Sequence, residues 1–218
     1  MNAKERFLKY VRYETTSDEN SPSCPSTPGQ TVLLKVLRDE LAAMGAVVKQ
    51  DENGYVTAVI PATKEGLNNL CFISHVDTSP AVSGKDVNPK EIVCDGNDII
   101  LGNGTVISVK ETPELLNYKG EELIVTDGKT LLGADDKAGV AEIMTAAEIL
   151  LKDKTIPHGK ILIGFTPDEE IGRGTDLFDV KGFGADFGFT VDGGELGEIE
   201  YENFNAASAI LTINGTSI

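Results

Sequence analysis

His75, Asp135, Glu169, Glu170 and Asp192 supply one imidazole and four carboxylates, a set of nitrogen and oxygen donors that suits zinc, with manganese or cobalt less favoured. Asp77 lies two residues beyond His75. A carboxylate there can accept the other imidazole N–H, which fixes the tautomer and makes the ring a better ligand. Each residue also has an ordinary reading. A lone histidine after a strand is commonly a satisfied loop residue, and Asp135-Asp136 can be a helix cap. Asp168-Glu169-Glu170 can be a solvated acidic turn, and Asp192-Gly193-Gly194 a tight one. Position favours a common site, because four bland explanations would have to coincide at strand ends.

The elements that position these residues follow from hydrophobic periodicity. Residues 70–74 are nearly all apolar, the pattern of a strand buried on both faces, and His75 comes next. Residues 161–165 and 187–191 repeat that pattern, and Glu169-Glu170 and Asp192 follow them. All therefore fall at carboxyl ends of strands, where open α/β sheets bind ligands. Asp135 opens a helix over 135–151 that turns Val140, Ile143, Met144, Ala147 and Leu151 toward the core. A short helix is expected over 4–12. A longer one runs from Pro28 to Gly45, with Thr27 as its cap and Gln30 as the capping-box partner. Residues 46–49 and 55–60 form a hairpin around Asn53-Gly54, and 122–126, 199–202 and 209–213 read as further strands. Residues 81–121 are an excursion from the main sheet. The whole predicts an α/β fold, a mixed, mostly parallel sheet with helices on both faces.

Composition narrows the function. The 218 residues carry a formal net charge of −16, which weighs against nucleic acid and anionic membrane surfaces as partners and leaves cations. No apolar run is long enough for a signal peptide or a membrane span, so a cytoplasmic protein is expected. Cys24, Cys71 and Cys94 form no C-x-x-C pair, which points to neither a disulfide framework nor a thiolate metal site, and Cys71 reads as a core residue. His158 lies before a strand, at the wrong end for the site. Gly102-Asn103-Gly104 lacks the Lys-Ser/Thr partner of a phosphate loop.

Four stretches, Phe72-Ile73-Ser74-His75-Val76-Asp77-Thr78-Ser79, the run from Thr126 through Leu131-Leu132-Gly133-Ala134-Asp135-Asp136-Lys137-Ala138-Gly139, Phe165-Thr166-Pro167-Asp168-Glu169-Glu170, and Thr190-Val191-Asp192-Gly193-Gly194, resemble in order and spacing the peptidase T family of co-catalytic zinc metallopeptidases. The resemblance implies an aminopeptidase that releases the N-terminal residue of tripeptides, with two zinc ions per complete active site. It assigns His75 and Asp192 to one metal, Asp135 to a bridging position and Glu170 to the second metal. Asp77 would orient His75, and Glu169 would be the general base for a metal-bridging water. It also implies that residues 1–206 are the N-terminal part of the catalytic domain and 207–218 the start of a lid through which the full-length protein forms a homodimer. The second metal's further histidine is then expected beyond Ile218. The alternatives are a dizinc deacylase or carboxypeptidase of the same wider group, and an inactive metal-binding fragment that acts only by association.

Overall fold

A computed structural model describes residues 1–202, 205, 207 and 209–215. In chain order the elements are α1 (Ala3–Tyr10), α2 (Pro28–Met44), β1 (Val47–Gln50), β2 (Val56–Ile60), β3 (Leu70–His75), β4 (Lys90–Val93), β5 (Ile99–Ile100), β6 (Val106–Ile107), a 3₁₀ turn (Pro113–Tyr118), β7 (Glu122–Val125), α3 (Ala134–Lys152), β8 (Ile161–Thr166), α4 (Val180–Phe183) and β9 (Phe187–Thr190). The expected mixed α/β sheet is present. Its five strands run in the order β1-β2-β8-β3-β9, with β8 in the centre and buried at every residue. The pairings β3–β8 and β3–β9 are parallel, while β1–β2 and β2–β8 are antiparallel, so parallel and antiparallel pairs balance.

One face of this sheet carries the main core. Val56, Ala58 and Ile60 of β2 stand opposite Phe165, Ile163 and Ile161 of β8, and all six are buried under α2 and α3. Leu33, Leu34, Leu37 and Leu41 recur on one side of α2, and burying each contributes roughly 1.5–3 kcal/mol. Gly45, with φ 96°, closes α2 in the left-handed conformation that a side chain disfavours. Among the described residues the other face has no long helix. There the four-residue α4 follows Phe178, whose ring packs edge-on with that of Phe183 over Gly164.

Several expectations shift in detail. The short N-terminal helix starts earlier than the periodicity indicated, because Asn2 and Glu5 form a capping box. Thr27 stands at the N-cap of α2 with Pro28 after it, yet no side-chain capping bond forms: the Thr27 hydroxyl donates to the Thr16 carbonyl and accepts from Gln30 Nε2. Within the excursion over 81–121, β5 pairs with β6, and β4 pairs with β7 just beyond it, both antiparallel and apart from the main sheet. β9 was expected to be buried on both faces. It is instead an exposed edge, bonded to β3 on one side, with the rings of Phe187 and Phe189 partly in solvent.

The strands expected over 199–202 and 209–213 are not formed among the described residues. Their apolar side chains find no sheet face to cover: Tyr201 is 91% exposed and Ile210 95%. The boundary expected between 206 and 207 falls on Ala206, which lies outside the described residues. No helix of the described residues is long and apolar enough to cross a membrane.

The contrast between packed and unpacked apolar residues is measurable. Leu37→Ala should destabilise the chain by about 2–5 kcal/mol, whereas Ile210→Ala should change stability by less than about 0.5 kcal/mol, both read from urea unfolding followed by circular dichroism. Similar losses for the two would contradict this account of the core.

Candidate metal centre

Parallel register brings the site together. His75 pairs with Thr166, and Ile73 with Thr190, so β3, β8 and β9 end side by side and the residues after them share one rim of the sheet. Val191 extends the β9 pairing by donating its N–H to the Ile73 carbonyl at 2.8 Å.

After β8 the chain turns sharply at Asp168, where φ is +58°, a value that few side chains adopt. The fully buried Asp168 carboxylate holds that turn. It accepts the Ser26 N–H at 2.8 Å, the Ser26 hydroxyl, and Gln30 Nε2 at 2.7 Å, while Gln30 Oε1 accepts the Asp168 N–H at 3.1 Å. The next two residues are caught by Asp77. Its Oδ1 accepts the Glu169 N–H at 3.0 Å and its Oδ2 accepts the Glu170 N–H at 3.1 Å. The same Asp77 Oδ1 lies 3.2 Å from His75 Nδ1, and the Asp77 carbonyl lies 3.1 Å from it. Both neighbours of Nδ1 are acceptors, so Nδ1 carries a proton and Nε2 is the ring nitrogen turned to the rim.

The start of α3 is fastened by a third buried carboxylate. Asp136 accepts the Ser74 hydroxyl and the His75 N–H, the latter at 3.1 Å. Gly133 enters the helix at φ 77°, and Asp135 itself has non-helical angles. The Asp135 side chain therefore does not cap α3. It is 68% exposed and places Oδ1 3.0 Å from His75 Nε2. Asp192 Oδ2 lies 3.6 Å from the same nitrogen and Glu169 Oε2 3.8 Å from it.

Ligand atoms of His75, Asp135 and Asp192 all fall within 4.8 Å of one another, a grouping able to hold a metal ion. Glu170 lies outside that grouping and is half-buried beside it. Burial raises its pKa first, and the charge of Asp135 adds to the shift. Asp192 is raised by burial and by Asp135 and Glu169, with His75 opposing. Burial opposes charge on His75, but the Asp77 hydrogen bond and the charges of Asp77, Asp136 and Asp192 outweigh it and push its pKa up to about 10. Burial pushes Asp136 up to about 8 against the Ser74 hydroxyl. The donors are hard to borderline and the rim is over-supplied with negative charge, which is what a divalent cation would relieve.

His158 stands at the opposite end of β8, with Nδ1 2.6 Å from the Gly159 carbonyl, and takes no part. The supporting residues were the harder ones to foresee. Asp168 and Asp136 read as members of acidic runs, and Gln30 reads as part of a helix cap. Lys137 sits buried with Nζ donating to the Tyr13 carbonyl at 2.8 Å, its pKa pushed down to about 8 by burial against the charge of Asp77.

No protein-family model matches the chain. Peptidase T of Caldanaerobacter subterraneus subsp. tengcongensis is 58% identical over 219 residues, which cover 98% of this chain and 54% of that protein. Among solved structures, an aminopeptidase named PepT from Bacillus cereus superposes with a TM-score of 0.62 at 27% identity, over 88% of this chain and 43% of that one. A tripeptidase from Staphylococcus aureus gives 0.59 at 25% identity, over 89% and 43%. The chain is thus homologous along nearly all its length to proteins named peptidase T, and it spans about half the length of the curated relatives it matches.

With its pKa at about 10, His75 carries two protons at neutral pH and must lose the one on Nε2 to bind a cation. Zinc affinity should accordingly rise with pH, by up to about tenfold per unit below that pKa, and binding at pH 7 should release about one proton. Calorimetric titration in two buffers of different ionisation enthalpy reads this directly. A heat independent of the buffer would contradict it.

Proposed function

We propose that this chain, a homologue of peptidase T, carries the larger part of the active centre of a zinc-dependent aminopeptidase that releases the N-terminal residue of tripeptides. The observation that carries the reading is the convergence of His75 Nε2, Asp135 and Asp192 on one rim, with the Glu169 carboxylate beside them. His75 and Asp192 would hold one zinc ion, Asp135 would be shared, and Glu170 would contribute to a second zinc ion. Zinc bound there would make water a stronger acid and stabilise negative charge on the scissile carbonyl oxygen.

The chain's own residues perform the remaining tasks. Asp77 keeps the proton on Nδ1 of His75, so Nε2 stays available to a ligand. Through the N–H groups of Glu169 and Glu170 it also sets where those two carboxylates start. Glu169, exposed and with no hydrogen bond to its carboxylate among the described residues, takes a proton from the attacking water as the new C–O bond forms. It then passes that proton to the departing amine as the C–N bond breaks. The acidic rim also favours a substrate bearing a free N-terminal ammonium.

Glu169→Gln should lower kcat on tripeptides by at least about a hundredfold, the lower end of what a general base contributes, while leaving zinc affinity unchanged. Tripeptides with a free amino terminus should be cleaved and N-acetylated ones spared. Turnover that survives the substitution would overturn the base assignment. Hydrolysis of N-acyl amino acids in place of tripeptides would favour a deacylase.

A further inference from the structure

Gly139 lies early in α3, on the side that meets the end of β9. A Cβ added there would stand 1.8 Å from the Val191 carbonyl oxygen, 2.9 Å from its carbon and 2.4 Å from Asp136 Oδ1, closer than side-chain carbons approach such atoms. Helix and strand end therefore touch backbone to backbone. Val191 is held from its other side by the bond from its N–H to the Ile73 carbonyl, so the strand end is pinned between β3 and α3. Asp192 is the next residue. The Val191 carbonyl therefore sits directly before the Asp192 backbone, and its position sets where the Asp192 side chain starts.

We infer that Gly139 is a positioning residue for the metal centre: its missing side chain sets the separation between Asp135, at the start of α3, and Asp192, at the end of β9. An added methyl would have to drive the Val191 carbonyl away by more than an ångström. Metal–ligand distances tolerate about 0.2 Å. The change alters the identity of no ligand and not that of the base, and it favours helix over coil, since alanine forms helix more readily than glycine. Asp136 meets the new methyl with Oδ1, whereas its Oδ2 holds the Ser74 hydroxyl and the His75 N–H, so the unyielding obstacle is the Val191 backbone and the consequence falls on the distance between Asp135 and Asp192. The inference rests on the metal-centre reading above, and the test separates the two.

Zinc titrations of the parent chain, Gly139→Ala, Asp192→Ala and the double variant provide that test, with thermal melts of each. Gly139→Ala should bind Zn2+ at least about tenfold more weakly than the parent, the size of effect seen when groups that support metal ligands are altered. The double variant should bind no more weakly than Asp192→Ala alone, because the glycine acts through that ligand. A parent chain that binds no Zn2+ would overturn the metal-centre reading and this inference with it. Parent-like affinity in Gly139→Ala, additive losses in the double variant, or loss of a cooperative melt in Gly139→Ala would overturn this inference alone.

Discussion

The Asp77 carboxylate is the contact on which the rim of the sheet depends. It is fully buried, and each of its oxygens accepts a backbone N–H from the segment after β8 while one also faces the ring of His75. Removing one partner of such a buried group leaves the others unsatisfied, at roughly 1–3 kcal/mol for each orphaned group. A single side chain thus ties the end of β3 to the end of β8 and sets the histidine tautomer. Ligand chemistry and loop geometry at this rim are consequently one arrangement.

Around Asp77 the acidic residues divide into two kinds. Asp77, Asp136 and Asp168 are buried and accept donors from other parts of the chain: Asp136 from the end of β3, and Asp168 from Ser26 and Gln30 at the start of α2. They act as fasteners. Asp135, Glu169 and Asp192 are more exposed and face His75 Nε2 with few protein donors of their own. Burial raises the pKa values of Asp192 and Glu170 first, and repulsion between like charges this close adds to it. Every fastener sits next to, or within two residues of, a group it positions, so fixed and free carboxylates alternate along short stretches of sequence.

This alternation explains what could be read from the residues. The strands that end at His75 and before Glu169 were legible because their apolar runs are bounded and central, and register then carried their ends together. Asp135 was legible as the start of a long helix, though its role as a cap was not borne out, because the backbone there is non-helical and its side chain faces His75. Asp168 and Gln30 were hidden. Their contact spans distant parts of the chain, and nothing local distinguishes a buried aspartate from its exposed neighbours. The apolar residues at 199–202 and 209–213 misled for the converse reason: a strand-like composition forms a strand only where a partner edge and a face to cover exist. β9 shows the same dependence on context, with a buried-type sequence standing at an exposed edge.

The central claim is that His75, Asp135 and Asp192 jointly bind a divalent cation. Crystals grown with Zn2+ and measured on both sides of the zinc absorption edge test it most directly. The account predicts an anomalous peak bounded by His75 Nε2 and one carboxylate oxygen each from Asp135 and Asp192. A structure in which zinc binds only elsewhere, for instance at His158, while His75 keeps its direct contact with Asp135, would contradict it.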